Sequence, residues 1–208
     1  MITERTDTFG RTVNETSLSL LDRVCQQTDS ESWDRLVELY APLLRRWLKR
    51  YEVQHADAED LLQEVFTVLV RELPKFKHNR RTGAFRSWLR TILVHRLRDY
   101  WRSRQHRPRA TGKTGFLDQL DELAEDASGV SHVWNREHDE YVMKSLMHTV
   151  QGQFEPKTWQ AFRRQVVDGL RADAVAAELG VSLGSAYVAK SRVLNALRRE
   201  SEGLVDDR

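Results

Sequence analysis

Hydrophobic and polar residues follow a helical period along most of the chain, and the period is clearest over residues 57–71. Apolar side chains recur there on one helical face, at Ala58, Leu61, Leu62, Val65, Phe66 and Leu69. The opposite face is polar, with Asp60, Gln63, Glu64, Thr67 and Arg71. This pattern predicts an amphipathic helix that buries its apolar face in the core. Carboxylates near its start also suit the positive end of the helix dipole.

A second helix with the opposite charge is predicted shortly after it. Residues 75–109 contain twelve Lys or Arg and a single acid, Asp99. The apolar side of this helix is formed by Phe85, Trp88, Leu89, Ile92, Leu93, Leu97, Tyr100 and Trp101. Trp88 and Trp101 fit the apolar stripe, so we favour a core position for them over stacking on nucleic acid. An acidic surface beside a cationic, aromatic one indicates two different partners.

The remaining pattern is also helical, and strand-like alternation is absent from the sequence. Ser17 is a suitable cap for a first helix, Ser30 or Ser32 for a second, and Pro42 stands where a third helix could begin. Arg45, Arg46, Lys49 and Arg50 decorate the outside of that third helix, where we expect a solvated face. The sequence therefore predicts an all-α fold.

Residues 105–130 interrupt the helical pattern with Pro108, Gly112, Gly115 and Gly129. We expect a flexible interdomain linker there. Residues 118–140 carry eight acids and a single base, Arg136. Two interpretations stay open: an acidic tether that DNA phosphates repel, or a merely solvated linker.

The last helical unit contains the most specific local pattern. Val175, Ala176 and Leu179 form a short apolar face, Gly180 stands where a left-handed residue ends a helix, and Ser182 can cap the next helix. Ala186, Val193 and Leu197 supply the buried side of that helix. This is typical of a helix-turn-helix, whose second helix enters the DNA major groove. The alternative is an ordinary helical hairpin with a glycine cap.

These patterns predict two small helical domains joined by a flexible linker. The predicted divisions are a disordered tail (1–16), a first domain (17–104), the acidic linker (105–130), a second domain with the helix-turn-helix (131–200) and a tail (201–208).

Composition limits the class of protein. The chain has 208 residues, 40% of them hydrophobic and 31% charged, with a net charge of only +2. Its single cysteine, Cys25, excludes an internal disulfide and fits a reducing compartment. Residues 1–15 lack the apolar region of a secretion signal, and no apolar run reaches membrane-spanning length. We expect a cytoplasmic protein with no membrane partner.

Three segments resemble bacterial RNA polymerase sigma factors. Residues 57–66 (DAEDLLQEVF) and 85–101 (FRSWLRTILVHRLRDYW) look like conserved region 2 of that family. Residues 174–197 are similar to region 4. Two such domains joined by a linker, without regions 1 and 3, resemble the extracytoplasmic-function (ECF) subfamily. The resemblance covers about residues 17–104 and 136–200.

The resemblance implies a non-enzymatic promoter-specificity subunit without cofactor or metal. Its partners would be core RNA polymerase, promoter DNA and, in some family members, an anti-sigma factor. The implied polymerase-binding residues are Asp57, Asp60, Leu61, Gln63 and Glu64. Those implied for the downstream (−10) promoter element are Lys77, His78, Asn79, Arg80, Arg81, Thr82, Arg86, Arg90, His95, Arg98 and Arg102. Those implied for the upstream (−35) element are Ser182, Ser185, Tyr187, Val188, Lys190, Ser191 and Arg192.

Some features leave other interpretations open. Many family members carry Gly-Thr-Val-Lys-Ser-Arg at the recognition helix, whereas Gly184-Ser-Ala-Tyr-Val-Ala precedes Lys190 here, so base contacts do not transfer position by position. A nuclease would use Asp57, Asp60 and Glu64 as ligands of a divalent metal, but all three lie on one helix. A free-standing helix-turn-helix regulator is the runner-up, although it would not need the acidic helix.

Overall fold

The computed structural model describes residues 19–26, 30–76, 83–105 and 114–205, without the side chains of 104, 105 and 114–117. All regular structure in these ranges is helical, which confirms the predicted all-α class. In chain order the helices are α1 (Leu20–Cys25), α2 (Ser30–Arg50), α3 (His55–Glu72), α4 (Ala84–Gln105), α5 (Thr114–Ala124), α6 (Gly129–Gln151), α7 (Pro156–Val166), α8 (Ala172–Leu179) and α9 (Leu183–Ser201). None of these helices is long and apolar enough to cross a membrane.

The first two helices differ in detail from the prediction. The side chain that caps α1 is Ser19, not Ser17, and it accepts a hydrogen bond from the backbone N–H of Asp22 at 3.1 Å. Pro42 lies inside α2 and does not begin a new helix. Pro42 lies on the exposed face of α2, whereas Leu39 and Leu43 lie on its buried face. Packing of this continuous apolar face offsets the cost of about 3 kcal/mol that an interior proline imposes.

Helices α3 and α4 form the predicted acidic and basic pair. The buried residues of α3 are those of the predicted stripe, Ala58, Leu61, Leu62, Val65 and Leu69, and Phe66 is half-buried. A short 3₁₀ turn (Leu73–Lys75) follows. Trp88 and Trp101 of α4 are half-buried and pack against the core. The Trp88 ring stacks on Phe76, with centroids 4.8 Å apart, in agreement with the core interpretation.

Part of the segment that the sequence predicts as a flexible linker is folded. Residues 114–124 form α5, which packs against α4 and α6. Leu120 and Leu123 of α5 are fully buried. Their spacing is helical, but the stretch is short and Gly112 and Gly115 stand beside its start, so the pattern favours a loop until its packing partners are known.

Helix α6 joins the two halves of the chain. The Trp134 ring packs edge-on against Trp47 of α2, with centroids 5.0 Å apart, and the buried His138 lies 3.1 Å from the Tyr40 hydroxyl of α2. Farther along, α6 packs against α9. Because α6 packs against both α2 and α9, a single apolar cluster contains residues from both ends of the described chain, from Leu20 to Leu204.

The end of the described chain is also packed. Glu200 of α9 is buried and pairs with Arg23 at 3.4 Å and Arg35 at 3.8 Å. Leu204 is fully buried in the main cluster, within the segment predicted as a tail. The predicted tail at residues 1–16 lies outside the described residues.

Candidate functional site

The acidic face of α3 is accessible along most of its length. Asp60, Gln63 and Glu64 are exposed. Glu64 lies 3.6 Å from the Arg96 guanidinium of α4, and this pair is open to solvent. Asp57 is half-buried and accepts a hydrogen bond from the Tyr100 hydroxyl at 2.9 Å, which fixes the start of α3 against the end of α4.

Leu61 does not belong to that exposed surface. Its side chain is 4% exposed and lies in the main apolar cluster. The 3.6-residue period that places Asp60 and Glu64 outside turns Leu61 inward. In this structure Leu61 therefore has a packing role, whereas Asp60 and Glu64 form the exposed surface.

The loop between α3 and α4, which is implied to contact the downstream element, lies outside the described residues. Its residues are Lys77, His78, Asn79, Arg80, Arg81 and Thr82. Its described flanks are well packed. Gly83, with a φ of 73°, is buried at the start of α4. A side chain there would be strained, because left-handed backbone favours glycine. Phe76 and Phe85 meet edge-on with centroids 6.0 Å apart, so the two ends of the loop are held by aromatic packing.

Four arginines of α4 implied for the downstream element are spaced by four residues or a multiple of four, which predicts an exposed, phosphate-facing edge; this arginine row consists of Arg86, Arg90, Arg98 and Arg102. Its first half is buried instead. Arg86 is 7% exposed and Arg90 2% exposed. Arg86 Nη1 donates to Asp139 Oδ2 at 2.5 Å, and Arg90 Nη2 donates to Asp126 Oδ1. A buried guanidinium is costly unless a carboxylate accepts its hydrogen bonds, and residues on the acidic stretch provide those carboxylates.

The outer end of the row is more open. Arg98 Nη2 donates to Asp121 Oδ1 of α5 at 2.5 Å, and both side chains keep some exposure. His95 and Arg102 are exposed. Of the side chains of α4 that were predicted to bind DNA and that the structure describes, His95 and Arg102 are thus the exposed ones.

A buried polar cluster anchors α6 beside the arginine row. His138 Nδ1 lies 3.0 Å from Asp139 Oδ1, and its Nε2 faces the Tyr40 hydroxyl. Burial raises the pKa of the Asp139 carboxyl, but hydrogen bonds from His138 and Arg86 outweigh burial, and the net pKa is lowered. Burial holds the pKa of Tyr40 well above its usual value. Asp139 is therefore an anion and Tyr40 a neutral phenol at neutral pH. The sequence pattern did not reveal this cluster, because Tyr40 and Arg86 lie far from His138 and Asp139 in the chain.

The turn between α8 and α9 has the capping geometry that the sequence predicts. Gly180 is left-handed, with φ 63° and ψ 41°, and the Val181 N–H donates to the Ala176 carbonyl at 3.0 Å. The Ser182 hydroxyl accepts from the Ser185 backbone N–H at 3.0 Å and so caps α9. Left-handed glycine and serine cap together fix the angle at which α9 leaves the turn.

A buried glutamine, which the sequence pattern did not single out, ties α9 to α7. Gln165 Nε2 donates to the Ala161 carbonyl at 2.8 Å and to the Ala186 carbonyl at 2.9 Å. Ala186 is fully buried opposite the exposed side chains of α9. This amide therefore helps to hold the buried face of α9 against α7.

Most of the side chains implied for the upstream element lie on the outward face of α9. Ser182, Ser185, Tyr187, Val188, Ser191 and Arg192 are exposed, and Lys190 is half-buried. Tyr187 and Val188 are more than half exposed, at 58% and 56%. The Arg192 guanidinium lies 5.9 Å from the Phe154 ring centroid, which restrains it near the start of α7. The face combines hydroxyls, one lysine, one arginine and apolar surface.

Within the described part of the chain, no group of three or more His, Cys, Asp or Glu side chains is arranged to hold a metal ion. Asp57, one of the three acids of the nuclease alternative, is turned toward Tyr100.

Comparisons with known proteins agree with this arrangement. Residues 36–107, which include most of α2 and all of α3 and α4, match the family model described as Sigma-70 region 2. The chain is 28% identical over 170 residues to the ECF RNA polymerase sigma factor SigE of Mycolicibacterium smegmatis, covering 82% of this chain and 62% of SigE. It is 26% identical over 188 residues to the ECF RNA polymerase sigma factor ShbA of Streptomyces griseus, covering 88% of this chain and 94% of ShbA. The matched region thus spans less than two thirds of SigE and nearly all of ShbA.

The region 2 match covers α2–α4, and the capped helix pair α8 and α9 follows it in the chain. The chain is thus similar to RNA polymerase sigma factors of the ECF group, through region 2 and through two relatives that match more than four fifths of it. That family is not a class of enzymes.

Proposed function

We propose that this chain binds core RNA polymerase, directs it to a specific set of promoters and helps to open them, in the cytoplasm. The observation that carries the proposal is the region 2 match, which covers an exposed acidic helix and a basic helix in one packed unit. A regulator that acts without polymerase would not need this acidic face.

The polymerase-binding surface is assigned to Asp60, Gln63 and Glu64. All three are exposed on one side of α3, and the apolar side of α3 holds that helix rigidly against α2 and α4. Acidic groups on a rigid surface speed and orient docking on a basic partner surface. Asp57 supports this surface through its bond with Tyr100.

We assign the binding of promoter DNA to two surfaces of the protein. The downstream element would contact the 77–82 loop and the cationic face of α4, whose exposed members are His95 and Arg102. The upstream element would contact the outward face of α9, where the first turns of a recognition helix reach base edges. The cap at Ser182 and the amide of Gln165 support that orientation of α9.

Run-off transcription with purified core polymerase tests the proposal. We expect addition of the protein to produce transcripts from a subset of promoter templates, and core polymerase alone to produce none from them. Binding of the protein to DNA without association with polymerase, and without transcripts, would favour the runner-up regulator.

Replacing Lys190 with alanine is expected to change base preference at one position of the upstream element. A lysine that donates to guanine acceptors contributes about 1–3 kcal/mol of discrimination. Binding of the variant to single-base promoter variants measures this effect, and Lys49→Ala, which removes an exposed charge from α2, is the matched control. An equal loss on every sequence would make Lys190 a phosphate contact, and no loss would place the reading face elsewhere.

The resemblance implies that the loop at residues 77–83 receives a base of the downstream element that is extruded from the duplex, and alanine variants of Asn79 to Thr82 test this base capture. We expect these variants to form the closed promoter complex but not to open it, because they lack the side-chain amide, hydroxyl and cations that would hold the extruded base and its phosphates. Permanganate reactivity at unpaired thymines reports opening. Normal reactivity in these variants would contradict a base pocket at this loop.

A further inference from the structure

Two large apolar side chains are exposed on the outward face of α9. Tyr187 and Val188 lie in the second turn of this helix, and both are more than half exposed. Leu183, one turn before Tyr187, is exposed as well and extends the apolar surface toward the start of the helix. The opposite face is closed, since Ala186 and Ala189 are buried. Adjacent apolar residues on the outer face of a surface helix indicate a partner that covers them.

Gly184 gives the same face a point of close approach. Apart from its neighbours in the helix, a Cβ at Gly184 would have the Ser182 hydroxyl oxygen as its nearest atom, at 3.8 Å, which is an ordinary van der Waals distance. The residue lies inside α9, where alanine would be more favourable than glycine. The fold itself therefore does not require a glycine here. Because Gly184 lies one turn before Val188, its missing side chain lets an outside surface come close to the helix beside the valine.

The charges around this face fit a polyanion. Residues 182–192 include Lys190 and Arg192 and no acid. Both cations lie one turn beyond the apolar pair, and the Arg192 guanidinium is held 5.9 Å from the Phe154 ring centroid. In DNA, phosphates flank the groove in which the base edges lie. An apolar surface with cations at its end therefore matches a major groove better than it matches an apolar protein surface.

Thymine is the base whose edge complements an apolar side chain. Its C5 methyl group lies in the major groove, where the other bases present hydrogen-bond donors and acceptors. Val188 has no side-chain group that donates or accepts a hydrogen bond. Contact of Val188 with another base edge would remove water from polar atoms without replacing their hydrogen bonds, which is costly. The same holds for the ring of Tyr187, since its single polar group is at the tip.

We propose that Tyr187 and Val188 read thymines of the upstream element through their C5 methyl groups, each at a different base pair, and that Gly184 lets α9 sit deep in the major groove. The inference rests on the proposed function, which assigns the upstream element to α9. In many sigma factors Gly-Thr-Val precedes Lys-Ser-Arg, so glycine and threonine stand where this chain has Tyr187 and Val188. The apolar pair is not part of that common sequence, and it adds a methyl-dependent preference to the contact assigned to Lys190.

Deoxyuridine tests the methyl contacts, because it lacks only the C5 methyl and keeps every hydrogen-bonding group of thymine. Core RNA polymerase loaded with the full-length protein first selects duplexes from a pool of randomised sequence. We expect thymine at two positions of the selected upstream element. Replacement of either thymine by deoxyuridine should weaken binding about fourfold, which is the factor that corresponds to burial of one methyl-sized group.

Variants of the apolar pair assign each methyl to one side chain. Val188→Ala should bind thymine and deoxyuridine equally at one of the two positions, and Tyr187→Ala should do so at the other. Tyr187→Phe should keep the wild-type preference, because the ring and not the hydroxyl meets the methyl. Val167→Ala is the matched control. Val167 is as exposed as Val188, at 55% against 56%, but it lies outside α9, so its variant should bind as the wild type does.

Gly184→Ala tests the close approach. This variant should bind the selected duplex more weakly, with thymine or with deoxyuridine, because the added methyl keeps the helix away from the bases. Its thermal unfolding midpoint should not fall, because alanine favours a helix over glycine. Wild-type DNA binding by Gly184→Ala would overturn the close approach of α9 at this position.

Three results would overturn the methyl contacts. The wild-type complex could bind thymine and deoxyuridine equally, the deoxyuridine loss could persist in both alanine variants, or these variants could lose association with core polymerase. The last result would make the apolar pair a protein-binding surface. In each case a wild-type complex that still selects a sequence leaves the proposed function intact. Selection of no sequence by that complex would instead remove the proposed function itself.

Discussion

Reversal of the charges of Asp60 and Glu64 together, to lysine, is expected to abolish association with core RNA polymerase. Both carboxylates are exposed on the rigid face of α3. Loss of charge pairs at an interface costs about 2–5 kcal/mol, which corresponds to roughly 30- to 5,000-fold weaker binding. Co-purification with core polymerase, followed by a titration, measures the loss.

The fold should survive that double reversal. The pair of Glu64 with Arg96 is open to solvent, and pairs of this kind contribute about 0–1 kcal/mol. The matched control is Glu31→Lys with Asp34→Lys, which reverses two exposed acids of α2. Wild-type binding by the Asp60 and Glu64 variant, or equal loss in the control, would show that α3 is not the docking surface.

Replacement of Trp134 by alanine is expected to lower the free energy of unfolding by about 3–5 kcal/mol. The indole is fully buried between α6 and α2 and packs edge-on against Trp47. Its removal leaves a cavity at the place where the two halves of the chain meet. Denaturant-induced unfolding, followed by circular dichroism, measures the change.

Trp134→Phe is the control for this variant, because it keeps an aromatic ring against Trp47 and removes less volume. Its loss should be clearly smaller than that of the alanine variant. A change below about 1 kcal/mol in Trp134→Ala would mean that α6 does not pack on α2 in solution, since buried large-to-small substitutions cost several times more.

Local patterns predicted the parts of the fold that local physics determines. The apolar stripe of α3 is buried as predicted, because a 3.6-residue period fixes which side chains share a face. Gly180 and Ser182 occupy their predicted conformations for the same reason: a left-handed residue and a side-chain cap are properties of a few neighbouring residues. Of the candidate site, the exposure of Asp60 and Glu64 and of Tyr187 followed from these periods.

Features that depend on distant partners could not be predicted in this way. Arg86 and Arg90 have the spacing of an exposed row, yet both are buried and pair with acids that lie 53 and 36 residues away, respectively. Helix α5 forms next to glycines because Leu120 and Leu123 are buried against other helices, and α4 and α6 supply those surfaces. Pro42 is accommodated in α2 because the residues around it are held by packing from other helices.

The position of α6 in the chain has a consequence for biosynthesis. Trp47 and Tyr40, which Trp134 and His138 cover in the finished protein, emerge from the ribosome well before α6 does. At synthesis rates of about 5–20 residues per second, α2–α4 are complete for roughly 2–9 seconds before residue 150 is added. During that interval α6 does not yet cover the aromatic face around Trp47, and the Asp139 carboxylate that accepts from Arg86 is added only near its end. Complete burial of Tyr40 and Trp47 therefore has to wait until α6 has been synthesised.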